Sequence, residues 1–196
     1  MVPFGLFRTA AALALLGSGI AANADNLPFS GSVTGSSVFV GLDPTCAPLP
    51  FRSTIAPETT VGLSSLGDFT YSTSTCLGPP GSQSTGTFTM DFGADALNGT
   101  FDGGSTLTAT PGISDVFWTF TILGGTGRFL DASGTFQGTG IADATTRPTH
   151  VAFSFIGNID APAVPEPASW TLMMLGFSGI GLAMRRGRGR MLTQLS

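Results

Sequence analysis

The chain has 196 residues, among them 28 glycines, 13 prolines and 16 phenylalanines, with no lysine and a formal charge of −4. That length suggests one domain with accessory segments, and 42% hydrophobic residues exclude a disordered chain. Residues 25–167 hold all twelve carboxylates against three arginines, a net of −9, so no nucleic-acid partner is expected.

The first expected element is an N-terminal helix. Arg8 supplies a positive start, Thr9 to Ala21 an apolar stretch, and Ala22-Asn23-Ala24 a small-x-small site. These parts in this order read as a signal peptide over residues 1–24, cut by signal peptidase to leave Asp25 first. The apolar stretch of about 13 residues is shorter than the ~20 needed to span a bilayer. Export makes the two cysteines, Cys46 and Cys76, a candidate disulfide, since an oxidising compartment favours pairing. Closing about 30 residues would stabilise the fold by roughly 3–4 kcal/mol on the chain-entropy account.

Residues 25–162 read as one all-β domain. In "TFTMDF", Phe88, Met90 and Phe92 share one face. In "VFWTFTIL", Val116, Trp118, Phe120 and Ile122 do the same, and in "VAFSF", Val151, Phe153 and Phe155. Alternation of this kind, broken by Gly, Pro and Asp, predicts antiparallel strands with one buried face. The spacing gives seven or eight strands, roughly 29–41, 51–62, 67–75, 85–92, 97–109, 115–123, 133–142 and 150–159. Regular strands with short turns fit an eight-stranded antiparallel β-barrel or, alternatively, a β-sandwich.

Between 120 and 140, Gly124-Gly125-Thr126-Gly127 is expected to form a tight turn, with Arg128-Phe129 starting the return and Phe136 rejoining the buried face. The stretch Gly124, Gly125, Gly127, Arg128, Phe129 resembles the Gly-Gly-Thr-Gly-(Arg/Lys)-Phe turn of the allene oxide cyclase and dirigent-like proteins. That resemblance implies an eight-stranded antiparallel barrel. It transfers no catalytic residue.

Catalytic, cofactor and metal sites are not expected. His150 is the single histidine and begins a strand, no G-x-S-x-G elbow occurs, and a chain without lysine has no P-loop. Asp91, Asp95 and Asp102 lie near glycines but lack EF-hand spacing, so they read as turn aspartates. Asn98-Gly99 reads as a hairpin turn.

The last element spans residues 163–190. Trp170 to Met184 is uncharged across 15 residues, and as a helix it would be roughly 22 Å long against a hydrocarbon core of ~30 Å. Arg185, Arg186, Arg188 and Arg190 follow, a basic cluster that places the C-terminus in the cytoplasm. This is a marginal transmembrane anchor. Pro165-Glu166-Pro167, then Trp170, the apolar helix and the arginines resemble the PEP-CTERM sorting signal of Gram-negative bacteria. The resemblance implies transient anchoring in the inner membrane and cleavage near the motif by an exosortase. Release or transfer to the cell surface would follow, in bacteria that make an extracellular polysaccharide matrix. Residues 191–196 form a tail. The expected function is that of an exported, non-enzymatic surface or matrix protein linked to exopolysaccharide. The alternative is a barrel that binds or isomerises a small apolar ligand.

Overall fold

The computed structural model describes residues 24–162 and 173–180. Residues 1–23 of the expected signal peptide, Ala22 among them, the motif Pro165-Glu166-Pro167, Trp170 and the arginine cluster lie outside the described residues. Residues 173–180 are helical, and among the described residues no helix is long and apolar enough to cross a membrane.

Nine strands run in chain order: β1 (Ala24–Leu42), β2 (Phe51–Ile55), β3 (Val61–Ser64), β4 (Thr70–Leu77), β5 (Gln83–Asp91), β6 (Ala96–Leu107), β7 (Ile113–Thr126), β8 (Ser133–Asp143) and β9 (Thr149–Pro162). They form one antiparallel sheet in the order β2-β4-β5-β6-β7-β8-β9-β1, and β1 pairs again with β2. Eight strands therefore close into a barrel, and the sandwich alternative falls. β1 and β9 pair without interruption from Ala24↔Pro162 to Ser37↔Thr149, so the first and last strands share the closed ladder.

The expected strand over 51–62 is two pieces. Pro57 cannot donate to a ladder, and Pro57–Thr59 form a 3₁₀ turn instead. β2 stays in the barrel, and β3 continues the same wall, paired with Gly31–Thr34 of β1 on one side and bridged through Gly62 to Phe69, ahead of β4, on the other. β1 begins at Ala24, earlier than its expected start, because its ladder with β9 continues to that residue.

The pleat sends alternate residues inward, and the apolar phase read from sequence is the inward one. Phe88, Met90, Trp118, Phe120, Ile122, Phe153 and Phe155 are all buried. The outward faces of β5 and β8 carry Thr85, Thr87 and Thr89, and Thr135, Gln137 and Thr139. Exposed apolar side chains interrupt this polar surface at Ile141 on β8 and at Val38, Val40, Phe117, Leu123 and Ile156 on other strands. Every residue of the main buried cluster, and every strand pairing described, lies within 24–162. Among the described residues, that segment closes its own sheet around its own core.

An eight-stranded barrel is just wide enough for side chains to fill. The thirteen phenylalanines of residues 24–162 would overfill it if large faced large everywhere. The registers avoid this by setting glycine beside aromatic: Phe88↔Gly99 and Gly86↔Phe101, Gly103↔Trp118, Trp118↔Gly138, and Phe136↔Gly157, Gly138↔Phe155 and Gly140↔Phe153. A Cβ at Gly138 would lie 2.6 Å from the Phe120 ring. Each ring covers a neighbouring glycine, as large and small alternate in other well-packed sheets. Phe120 and Phe136 stack with centroids 4.6 Å apart, and Phe155 stands edge-on to both.

The glycine-rich stretch at 124–127 departs from expectation. Gly124 and Gly125 lie inside β7, at a bulge where Asn98 faces Gly124 but Gly99 faces Ile122. Asn98-Gly99 is likewise strand, inside β6, and not a hairpin turn. The chain reverses later, through a 3₁₀ turn at Gly127–Phe129. Gly127 has φ +59, and any Cβ there would overlap the Asp95 carboxylate. Gly125 is needed for space alone, since a Cβ would overlap the Ala96 carbonyl oxygen.

This reversal plugs one end of the barrel. Phe129 is fully buried and packs on Phe92, and Phe92 packs on Phe69. Arg128 clasps the plug: its Nε lies 3.1 Å from Asp95, its Nη2 donates to the Leu66 carbonyl at 2.7 Å, and its guanidinium lies over Phe92 and Phe129. Asp91 accepts from the Gly93 backbone at 2.7 Å, so Asp91 and Asp95 act as loop-ordering aspartates.

Candidate functional site

The opposite end is open. There the inward residues shrink as each strand reaches the rim: Ser37 on β1, Ser53 on β2, Thr75 on β4, Ser84 on β5, Ser105 on β6, and Ala142 on β8. Side chains that would fill the lumen are missing from this level, and a cavity of about 460 Å³ results. Its volume falls in the range of small-molecule sites, ~300–1,000 Å³. Apolar walls come from Ile55, Val116, Trp118, Val151 and Phe153, while Phe39 and Phe51, packed against each other, stand at the mouth.

Trp118 is positioned by its neighbours. Its indole Nε1 donates to Ser84 Oγ at 2.7 Å, and Phe153 meets its ring edge-on at 4.9 Å. Two buried hydroxyls have no partner among the described residues: Ser82 Oγ, on a residue that lines the cavity, and Tyr71 Oη. Tyr71 lies close by, its ring 6.5 Å from that of Phe153, and burial pushes its phenol well above the ordinary range. Arg147, in the loop between β8 and β9, is the single charged residue of the lining. His150 is exposed on the outer face of β9, opposite Asp143.

The cysteines sit beside this mouth. Cys46 and Cys76 form a disulfide with Cα atoms 5.3 Å apart. Thr75 and Leu77 face the cavity, so Cys76 points outward, and the bond clips the loop after β1 to the outer wall. Asp43 begins that loop. It is ion-paired with Arg52, which also donates to Ser74 and, at 2.7 Å, to Thr45. The loop forms one side of an outer hollow of about 620 Å³ that also includes Asp102, Thr106 and half-exposed Phe117.

Hydrogen bonds from the Thr45 hydroxyl, then from Arg52, hold the Asp43 carboxyl down at about 2, against an ordinary 3.8. A carboxylate with a depressed pKa contributes stability above its unfolded value and loses it as pH falls through the folded one. Acid unfolding should therefore deepen between about pH 4 and 2. Asp43→Asn should flatten that part of the profile while leaving the neutral-pH shape alone, as followed by circular dichroism. An unchanged acid limb would remove Asp43 from the account.

The geometry defines a closed barrel with one plugged end and one cavity-bearing end, and among the described residues no cluster of His, Cys, Asp or Glu could hold a metal. Beyond the barrel, residues 163–188 match the PEP-CTERM protein-sorting motif. The match contains Pro165, Glu166, Pro167, Trp170, Arg185, Arg186 and Arg188, with Arg190 just beyond it. The motif marks an exported chain whose C-terminal segment is a membrane-anchored sorting signal, and it implies processing by an exosortase. No curated protein and no solved structure matches the chain, so no match supports the likeness of its turn to allene oxide cyclase or dirigent-like proteins.

Sequence reasoning found the strands, the buried faces, the cysteine pair and the sorting motif. It missed Arg147, Ser82 and Ser84 as site residues. Arg147 did carry one signal, as the barrel arginine that falls in a strand-free stretch with no carboxylate within three positions.

Proposed function

We propose that this chain is a binding protein of the cell surface or extracellular matrix. In this reading a signal peptide directs export, exosortase processes the C-terminal signal, and the barrel then holds a small apolar molecule in its open end without catalysis. The cavity above Trp118 carries the binding part of the reading. Its lining offers hydroxyls and one cation but no carboxylate, imidazole or thiol. Such a set can orient a ligand, whereas proton transfer calls for a group that titrates near the working pH. The link to exopolysaccharide draws support from the acidic, hydroxyl-rich outer wall and from the outer hollow, where Phe117 offers an aromatic face beside Asp102 and Thr106.

A second reading uses the same cavity: a barrel of the allene oxide cyclase or dirigent-like kind that isomerises its apolar ligand. The closed eight-stranded architecture favours it, and the unpartnered Tyr71 phenol would be its polar group. Recovery of bound ligand unchanged separates binding from turnover.

Two measurements test the proposal together. Replacing Pro165-Glu166-Pro167 by alanines should leave the protein in the membrane fraction, with a tag after Ser196 still attached. In residues 25–162, where Trp118 is the single tryptophan, a neutral apolar probe such as 1-aminoanthracene should quench its fluorescence saturably. Ala142→Phe, which fills the mouth, should weaken probe binding at least about tenfold. Unaltered release of the alanine variant would overturn the sorting reading. A probe that never saturates would overturn the binding one.

A further inference from the structure

The geometry points to a particular ligand class: an apolar molecule ending in a carboxylate, with its body against Trp118 and its head at Arg147. This inference rests on the binding reading above and narrows it. The barrel has three arginines in a strongly acidic surround. Arg52 is paired with Asp43 and Arg128 with Asp95. Among the described residues Arg147 has no carboxylate within ion-pair distance, and it alone lines the cavity. The nearest acidic group along the loop, Asp143, is engaged instead with Thr145, whose backbone N–H donates to it at 2.9 Å and whose hydroxyl also donates.

The site is polarised along its depth. Its floor is aromatic and aliphatic, its rim carries serine and threonine hydroxyls, and the cation stands at the exposed edge, where a carboxylate can keep part of its hydration. A buried anion would lose its hydration without full compensation, and a head at the rim avoids that penalty. The guanidinium fork matches a carboxylate in two parallel hydrogen bonds. Ser82 Oγ, buried and without a partner among the described residues, is a further hydrogen-bonding group on the lining. A phosphate, with nearly two charges, would meet one arginine in a barrel of eleven carboxylates and three arginines, net −8, and is disfavoured.

The test compares octanoate, octan-1-ol and octylamine, three probes with the same tail, titrated into oxidised residues 25–162 and read by Trp118 fluorescence. Octanoate should bind about fivefold more tightly than octan-1-ol, the scale of an exposed ion pair, and octylamine most weakly. Arg147→Gln should bring octanoate and octan-1-ol together, while Arg147→Lys should keep part of the preference. Arg147 lies in an exposed loop, so its variants should melt as the parent does. Equal binding of acid and alcohol by the parent would overturn the carboxylate inference and leave the apolar site standing. So would a preference that survives Arg147→Gln. Failure of all three probes to bind would overturn both.

Discussion

Gly140→Ala should destabilise the barrel by about 3 kcal/mol or more, although it adds a single methyl group. The new Cβ would overlap the Ala152 carbonyl oxygen and lie 2.7 Å from the Phe153 ring. Neither neighbour can yield cheaply. Ala152 belongs to the continuous β8–β9 ladder, and Phe153 is held edge-on against Trp118 in the cavity wall. Relief requires β8 and β9 to part, which breaks hydrogen bonds in a sheet that has no free edge at this point to absorb the shift. The melting temperature of residues 25–162 should fall by about 10 °C. Thr139→Ala, next in sequence but pointing outward and exposed, should stay within about 0.5 kcal/mol of the parent. If the two variants melt alike, the pairing of glycine with aromatic residues is incidental to stability.

Loss of the Cys46–Cys76 bond should cost about 3–4 kcal/mol, because the unfolded chain regains the freedom of a 30-residue loop. The Cys46→Ser, Cys76→Ser double variant, or reduction of the parent, should lower the melting point by about 10 °C. The effect should also reach the ligand site. Cys76 lies between Thr75 and Leu77, both of which face the cavity, and Leu77 pairs with Phe51 at the mouth. Apolar probe affinity should therefore drop in the reduced protein at temperatures where it is still folded. A reduced barrel that melts and binds as the oxidised one does would show that the clip is redundant with the Asp43–Arg52 pair.

Much of the fold was legible because alternation is a direct consequence of the pleat. Val116, Trp118, Phe120 and Ile122 had to share a face once β7 was a strand, and all four are buried. What failed was the reading of glycine. At Gly124, Gly125 and Asn98-Gly99 it signalled turns, yet these positions lie inside strands, where glycine provides room for a ring or a bulge. Conformational freedom and small volume are both properties of glycine, and a single sequence does not say which one is in use. Pro57 split a strand for a reason that could have been read, since proline lacks the ladder donor. The cavity was illegible for a different reason. Strand phase says which side chains face inward, but the space left among Ser37, Ser53, Ser84 and Ala142 depends on all eight strands at one level.

The pairing of Ala24 with Pro162 has a consequence for how the molecule stands. The two ends of the barrel segment leave side by side, at the pole plugged by Phe129 and clasped by Arg128. The sorting motif match begins at residue 163, directly after the last strand. In a chain held by that signal the tether therefore joins the barrel at its plugged pole, and the cavity opens at the other pole. A cut in either tail would fall beside that plugged pole, a full length of β9 away from Arg147. Such a cut would leave the closed ladder, and with it the cavity at the far end, untouched.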